Sequence, residues 1–281
     1  MSSSKVAGKI VLVTGATDGL GRILAGRLVD EGAVVVVHGR DPERIEATTS
    51  ELRKRKAGAD IFSYRADLAS LADTRALATS VEADFPRIDV LVNNAGLGSG
   101  GSKRGRQESA DGYELLFAVN YLAGFLLTNS LLPVLLQSPA ARIVNVSSIG
   151  QAPIDFDDVM LTRTYSGRQA YCQSKLAQIL YTFELAERLR AAGQSNVTVN
   201  AVHPSSLMPT KMVFEAYDHT MSTLEDGLEA VWHLVAGSDL EGVSGRYFDV
   251  LTESHANAQA YDAGARKRLW DLSEKLVQVP V

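Results

Sequence analysis

The sequence predicts an α/β protein built on a single doubly wound parallel sheet of about seven strands, with helices on both faces. Three observations carry that prediction. Apolar, β-branched segments recur near residues 10–13, 33–38, 61–65, 88–96, 141–148, 197–202 and 245–250, and runs such as Ala33-Val34-Val35-Val36-Val37 read as strands buried on both faces. Between them, apolar residues fall at helical spacing, so strand and helix alternate as βαβ units require. The unusual glycine and polar residues cluster where strands end, the edge at which an open parallel sheet binds ligands.

Length and charge set the bounds. With 281 residues, 46% of them hydrophobic and 22% charged, the chain can bury one large core, and a single domain over 1–281 suffices. The balance of 28 basic against 33 acidic residues gives a net charge of -5, which predicts neither a nucleic-acid nor an anionic-membrane partner. Cys172 is the one cysteine, so an intrachain disulfide and a cysteine zinc cluster are ruled out, no metal site is expected, and a reducing cytoplasm fits. The opening Met-Ser-Ser-Ser-Lys-Val-Ala-Gly lacks an apolar core of signal-peptide length, and no run approaches the roughly eighteen apolar residues of a membrane helix. The expectation is a soluble cytoplasmic protein.

The first strand, Ile10-Val11-Leu12-Val13, breaks into Thr14-Gly15-Ala16-Thr17-Asp18-Gly19-Leu20-Gly21, a turn opening onto a helix over 20–31 that stops at Gly32. Glycine there lets backbone N–H groups approach a phosphate, although three glycines also make an ordinary tight turn. Asp41-Pro42-Glu43 reads as a cap with proline at the first helical position. The mixed charges that follow, ending in Arg53-Lys54-Arg55-Lys56, read as a solvated face. A helix is expected over about 70–84 and another over 111–136. Residues 97–110, with Lys103, Arg104 and Arg106, read as a surface loop. Residues 149–165, holding Asp155, Asp157 and Asp158, lack a period and read as a long excursion of the functional kind. Ser166 can cap a helix running to about Ala192, and Gly193 stops it. An irregular stretch to about Thr223, a helix near 224–236 and a last helix near 257–277 complete the chain.

At the strand ends stand the glycine turn, His38-Gly39-Arg40, Asp67, Asn93-Asn94-Ala95-Gly96, Ser147-Ser148 and Pro204. Tyr171 and Lys175 lie one helical turn apart and so share a helix face. A phenol has a pKa of about 10, and an ammonium beside it favours phenolate, which suits proton exchange with a carbonyl–alcohol pair. The same spacing also arises where a tyrosine packs and a lysine extends its charge to solvent.

In order along the chain, Thr14-Gly15-x3-Gly19-x-Gly21, Asp67-Leu68, Asn93-Asn94-Ala95-Gly96, Asn120, Ser148, Tyr171-x3-Lys175 and His203-Pro204 resemble the short-chain dehydrogenase/reductase family over nearly the whole length. Arg142-Ile143-Val144-Asn145-Val146-Ser147-Ser148 and Tyr171-Cys172-Gln173-Ser174-Lys175-Leu176-Ala177 resemble its retinol-dehydrogenase-like branch most. The resemblance implies a Rossmann-type sheet and an oxidoreductase that interconverts a carbonyl compound and its alcohol. Tyr171 would be the general acid in reduction and the base in oxidation. Lys175 would lower its pKa and hold the nicotinamide ribose, Ser148 would bond the substrate oxygen, and Asn120 would hold a water linking Lys175 to solvent. Ser148 is preferred over Ser147 because the family uses the second serine and alternate strand residues face opposite ways, which leaves Ser147 as a core hydroxyl. The resemblance further implies a cofactor cradle of Gly15, Thr17, Asp18, Gly19, Leu20 and Gly21, with Asp67, Leu68, Asn94, Ala95, Gly96, Pro204 and Thr210 beside Tyr171 and Lys175. Two features depart from the family's shortest pattern: a twenty-two-residue spacer separates Ser148 from Tyr171, and Pro204-Ser205 stands where Pro-Gly is common.

Cofactor choice is read at the end of the second strand. An acid there accepts from the ribose hydroxyls of NAD, whereas an arginine accommodates the 2′-phosphate of NADP. The acidic position is Gly39 and Arg40 follows, so NADP(H) is expected over NAD(H), with NAD(H) as the minor cofactor. Asp41 is the competing ribose acid, and Pro42 behind it favours a cap instead. Segments 149–165 and 205–223 are expected to wall the substrate pocket, with Met208, Met212, Phe214 and Tyr217 as apolar lining, packing or subunit contacts. Relatives suggest a dimer or tetramer. Two other functions compete: a catalytically silent nucleotide sensor, disfavoured by the full set Asn120, Ser148, Tyr171 and Lys175, and an epimerase or dehydratase of the extended branch, disfavoured by the glycine spacing.

Overall fold

The computed structural model describes residues 5–100 and 105–278; Lys103 and Arg104 lie outside the described residues. Strands β1 (Ile10–Val13), β2 (Val34–Gly39), β3 (Ile61–Arg65), β4 (Val90–Asn93), β5 (Ala141–Val146), β6 (Val197–His203) and β7 (Arg246–Asp249) run parallel. An eighth, β8 (Thr252–Glu253), returns antiparallel along β7. The chain reverses where Val250 takes a φ of 56°, and a two-residue strand is too short to show a pattern in sequence. The order β3-β2-β1-β4-β5-β6-β7-β8 places the reversal of winding between β1 and β4, where a crevice opens at the carboxyl edge.

Alternation along the strands builds two cores. Val11, Val13, Val35, Val37, Val90 and Val92 face one side, with Leu24, Leu28, Leu228 and Val231 of the helices there. Leu12, Val36, Leu91 and Ile143 face the other, with Leu127, Leu131, Leu176 and Leu180. Helices α1 (Gly19–Asp30), α2 (Pro42–Arg55) and α8 (Leu224–Ala236) cover the first face. The second face carries α3 (Leu71–Asp84), α5 (Ala123–Leu135), α6 (Gly167–Ala191) and α9 (Ala263–Gln278). The caps follow the sequence: Asp41 accepts from the Glu43 and Arg44 N–H groups with Pro42 behind it, and Ser166 accepts from Gln169 N–H.

Three elements differ from expectation. The helix expected over 111–136 begins later, as α4 (Leu115–Phe117), passes through a π turn (Ala118–Leu122) and continues as α5. The turn forms where Asn120 is drawn out to the chain after β4, its carboxamide bonding both backbone groups of Leu97. The last helix splits into a 3₁₀ turn (Ala258–Tyr261) and α9, and a four-residue helix, α7 (Lys211–Phe214), sits inside the irregular stretch. Leu115–Leu135 is also long and apolar enough to cross a membrane, contrary to the expectation that no run is; 72% of its most apolar window is buried inside the protein, so it serves as the central core helix.

Candidate active site

The glycine turn is built against the end of β4. Gly15 adopts a φ of 65°, and a Cβ on it would lie 2.9 Å from Ala95 Cα. A Cβ on Gly21 would fall 2.5 Å from Asn94 Nδ2, so close approach requires glycine at both positions, and conformation requires it at Gly15 as well. Asn94 braces the turn: its Nδ2 donates to Thr14 O at 2.8 Å and Gly15 O at 3.3 Å, while Thr14 Oγ1 accepts from the Asn94 and Ala95 N–H groups at 3.0 Å each. His38, only 3% exposed, adds a second brace. Its Nδ1 accepts from Gly15 N–H and its Nε2 faces Ala66 O, each at 3.2 Å, so this pattern places the ring proton on Nε2. Burial pushes its pKa down to about 4, and the ring is neutral.

Asp18 caps α1 by accepting from Gly19 N–H at 2.8 Å and pairs with Arg44 at 2.7 Å. Leu20 and Leu68 send their side chains into the core, which leaves only their backbones to meet a cofactor. Asp67 Oδ1 accepts from Ala69 N–H at 3.0 Å, so its carboxylate shapes the turn after β3. A Cβ on Gly39 would come 2.6 Å from Thr17 Cγ2; an acidic side chain cannot stand there without moving the turn. Asp41 is engaged as the α2 cap, its Oδ1 2.9 Å from Glu43 N. Arg40 is exposed, and the strand register sets Arg65 directly across from Gly39, its Nε donating to Arg40 O at 3.2 Å. Two guanidinium groups therefore flank this corner, and Arg65 was not singled out by sequence, because the pairing of β3 with β2 is written in no local pattern.

Segment 205–217 lies across the crevice, seated on residues without side chains. Thr210 Cγ2 rests 3.3 Å from the Cβ position of Gly19, Met212 lies on Gly98 with its Cε 3.8 Å from that of Gly96, and Met208 packs on Gly227. Met208 and Met212 are thus packing residues, whereas Phe214, Tyr217 and Met221 are exposed at 60%, 48% and 70%. Pro204 is buried where β6 ends.

Ser148 and Tyr171 meet beside Gly150, and Lys175 and Asn120 meet beside Gly96. Tyr171 bonds the Ser148 hydroxyl, which also accepts from Gly150 N–H at 3.0 Å. Ser147 turns the other way and donates to Lys175 O at 2.8 Å from within the core. Lys175, 3% exposed, donates from Nζ to Val146 O at 2.8 Å and to Gln178 Oε1 at 3.1 Å. Asn120 Nδ2 donates to Ser174 Oγ at 2.9 Å as well as to Leu97 O at 3.1 Å, and its Oδ1 accepts from Leu97 N–H at 2.7 Å. A Cβ on Gly96 would lie 3.6 Å from Lys175 Nζ and 3.3 Å from Asn120 Oδ1.

One electrostatic expectation needs correction. Lys175 does not hold the Tyr171 phenol below its ordinary value in this arrangement; burial pushes that phenol up, against a smaller downward pull from Ser148. Lys175 is itself pushed down to about 7 by desolvation, because its bonds run to neutral carbonyl oxygens and its Nζ stands 5.8 Å from the Tyr171 ring centre. The Asn120 carboxamide is engaged by Leu97 and Ser174. The excursion carboxylates, in turn, are structural. Asp158 accepts from Thr162 and Arg163, and Asp157 pairs with Arg268 at 3.0 Å. Arg106 ties the excursion down through Met160 O at 2.9 Å.

A family model described as short chain dehydrogenase matches residues 9–220. Mouse (Mus musculus) retinol dehydrogenase 13 is 36% identical over 98% of this chain and 86% of its own length, and human (Homo sapiens) retinol dehydrogenase 14 is 36% identical over 96% of this chain and 86% of its own. Among solved structures, an uncharacterized protein of Mycobacterium paratuberculosis superposes with a TM-score of 0.80 at 31% identity, covering 100% of this chain and 98% of that one. A short chain dehydrogenase of Escherichia coli complexed with NADPH superposes with a TM-score of 0.72 at 27% identity, covering 90% and 100%.

Proposed function

We propose, from the premise that this chain belongs to the short-chain dehydrogenase family and to its retinol-dehydrogenase-like branch, that it interconverts a carbonyl compound and its alcohol with NADP(H) in preference to NAD(H). The observation that carries the proposal is the meeting of Ser148 with Tyr171 beside Gly150, with Lys175 Nζ 5.8 Å from the Tyr171 ring centre and next to Gly96 at the end of β4, close to the glycine turn. The turn fits a dinucleotide: Gly15, Gly19 and Gly21 clear the entrance of α1, whose positive end suits a pyrophosphate. Gly39 with Arg40 suits a 2′-phosphate. When bound, the nicotinamide supplies or accepts the hydride.

The protein's own groups do the rest. Ser148 orients the substrate oxygen toward Tyr171, and the raised phenol pKa keeps Tyr171 protonated at neutral pH, ready to donate as the substrate oxygen gains charge in reduction. In oxidation the same oxygen takes the proton back, with Lys175, its Nζ 5.8 Å from the Tyr171 ring centre, as the nearby cation that favours phenolate. The relatives' names suggest an apolar alcohol or aldehyde as substrate, and the exposed Phe214, Tyr217 and Ile149 around the crevice support that class. A cytoplasmic location and a dimer or tetramer belong to the same proposal.

Tyr171→Phe tests it. With NADPH and a panel of aromatic and long-chain aldehydes followed at 340 nm, turnover should fall at least a hundredfold, in the usual range for a lost proton donor. NADPH affinity should change little. A variant with near-normal turnover on a good substrate would remove Tyr171 from the reaction.

A further inference from the structure

Lys175 occupies a site that works against its charge. It is buried, it faces Val146 O from β5, and among the described residues no carboxylate contributes to its environment. Its titratable neighbours are Tyr171 one turn earlier on α6 and His203 on β6, whose protonation the lysine opposes. Ser148 on the β5 side and Asn120 from the π turn are neutral. An ammonium in such surroundings loses its proton easily unless acceptors compensate for the lost water. Among the described residues, the only side-chain acceptor bonded to it is Gln178, 4% exposed and three residues further along the helix, with Oε1 at 3.1 Å from Nζ. Gln178 is anchored in turn. Its backbone carbonyl accepts from Thr182 Oγ1 at 2.7 Å, which accepts from Asn145 Nδ2 at 2.9 Å, and Asn145 Oδ1 accepts from Asn93 Nδ2 at 2.8 Å. This hydrogen-bonded chain ties the helix turn carrying Gln178 to β5 and β4 through the core.

We propose that Gln178 is a positioning residue for the reaction: its carboxamide oxygen, together with Val146 O, holds Lys175 as an ammonium at the strand end from which it serves Tyr171. The inference rests on the proposed function, and it assigns the task of keeping the lysine charged to a neutral side chain that touches neither substrate nor cofactor. A carboxylate at 178 would hold the proton more firmly, and an alkyl group would release it. A hydrogen bond from a charged donor corresponds to a shift of about one pH unit.

The test reads Lys175 directly. Protein carrying [ε-13C]lysine is titrated by NMR, with the Lys175 signal assigned by its loss in Lys175→Met. Gln178→Leu should move the titration about one pH unit to the acid side, and Gln178→Glu should move it to the alkaline side. In the aldehyde-reduction assay, the pH at which activity is lost on the alkaline side should move in the same two directions. A lysine titration unchanged in both variants, or shifted with the same sign in both, overturns the proposal. If Gln178→Leu does not fold, Gln178→Glu alone decides: an alkaline shift is expected, and none overturns it. Because the titration needs neither substrate nor cofactor, it stays readable even if Tyr171→Phe proves active, an outcome that would instead overturn the proposed function.

Discussion

Arg40 and Arg65 reach the same corner of the crevice by different routes. Arg40 follows the last residue of β2, so its place is legible in the run Val34-Val35-Val36-Val37-His38-Gly39. Arg65 arrives because β3 pairs beside β2 with Gly39 opposite Arg65, a register set by packing and turn geometry. Arg44 is paired with Asp18 of the glycine turn. Replacing Arg40 with alanine should weaken NADPH binding about tenfold or more, the scale of a charge-assisted hydrogen bond, and leave NADH nearly untouched. Arg65→Ala should act in the same direction. Dissociation constants for both cofactors on each variant decide the matter, and equal losses for the two would remove these arginines from the phosphate site.

At the scale of elements, the glycine turn shows how far local pattern reaches. That Gly15, Gly19 and Gly21 open a helix after a buried strand could be read from the sequence. That His38 clamps the turn to the end of β3 could not, since a histidine in an apolar strand has many fates. The clamp carries a pH dependence of known sign. Burial favours the neutral ring, so the unfolded chain takes up its proton first; stability is full above the ordinary value of 6.5 and falls as pH drops toward about 4. The full swing for such a shift is about 3 kcal/mol. His38→Gln should therefore lose stability at pH 7 yet show a flatter melting temperature between pH 7 and 4.5. A slope equal to that of the wild-type protein would show that His38 does not titrate there. The π turn at Ala118–Leu122 was equally hidden: its cause, the bonding of Asn120 to Leu97, joins segments more than twenty residues apart, which periodicity cannot register.

Over the whole molecule, the parallel sheet with helices on both faces followed from strand and helix alternation, because the parallel fold admits few other arrangements, whereas the pairing of Ser148 with Tyr171 was implied by the family resemblance. What covers α6 did not. Trp270 of α9 stacks on Tyr181 with ring centres 5.7 Å apart and meets Phe125 at 5.2 Å, while the Arg188 guanidinium lies 4.0 Å from its ring centre. Trp270→Ala should cost about 3–5 kcal/mol, measurable by urea unfolding; a loss below about 1 kcal/mol would mean that α9 is only loosely held. The arrangement also has a consequence for synthesis. A ribosome finishes Phe125 and Tyr181 long before it reaches Trp270, so the nascent chain carries an uncovered aromatic face until α9 emerges, the interval in which such a chain most needs a chaperone and is most open to aggregation.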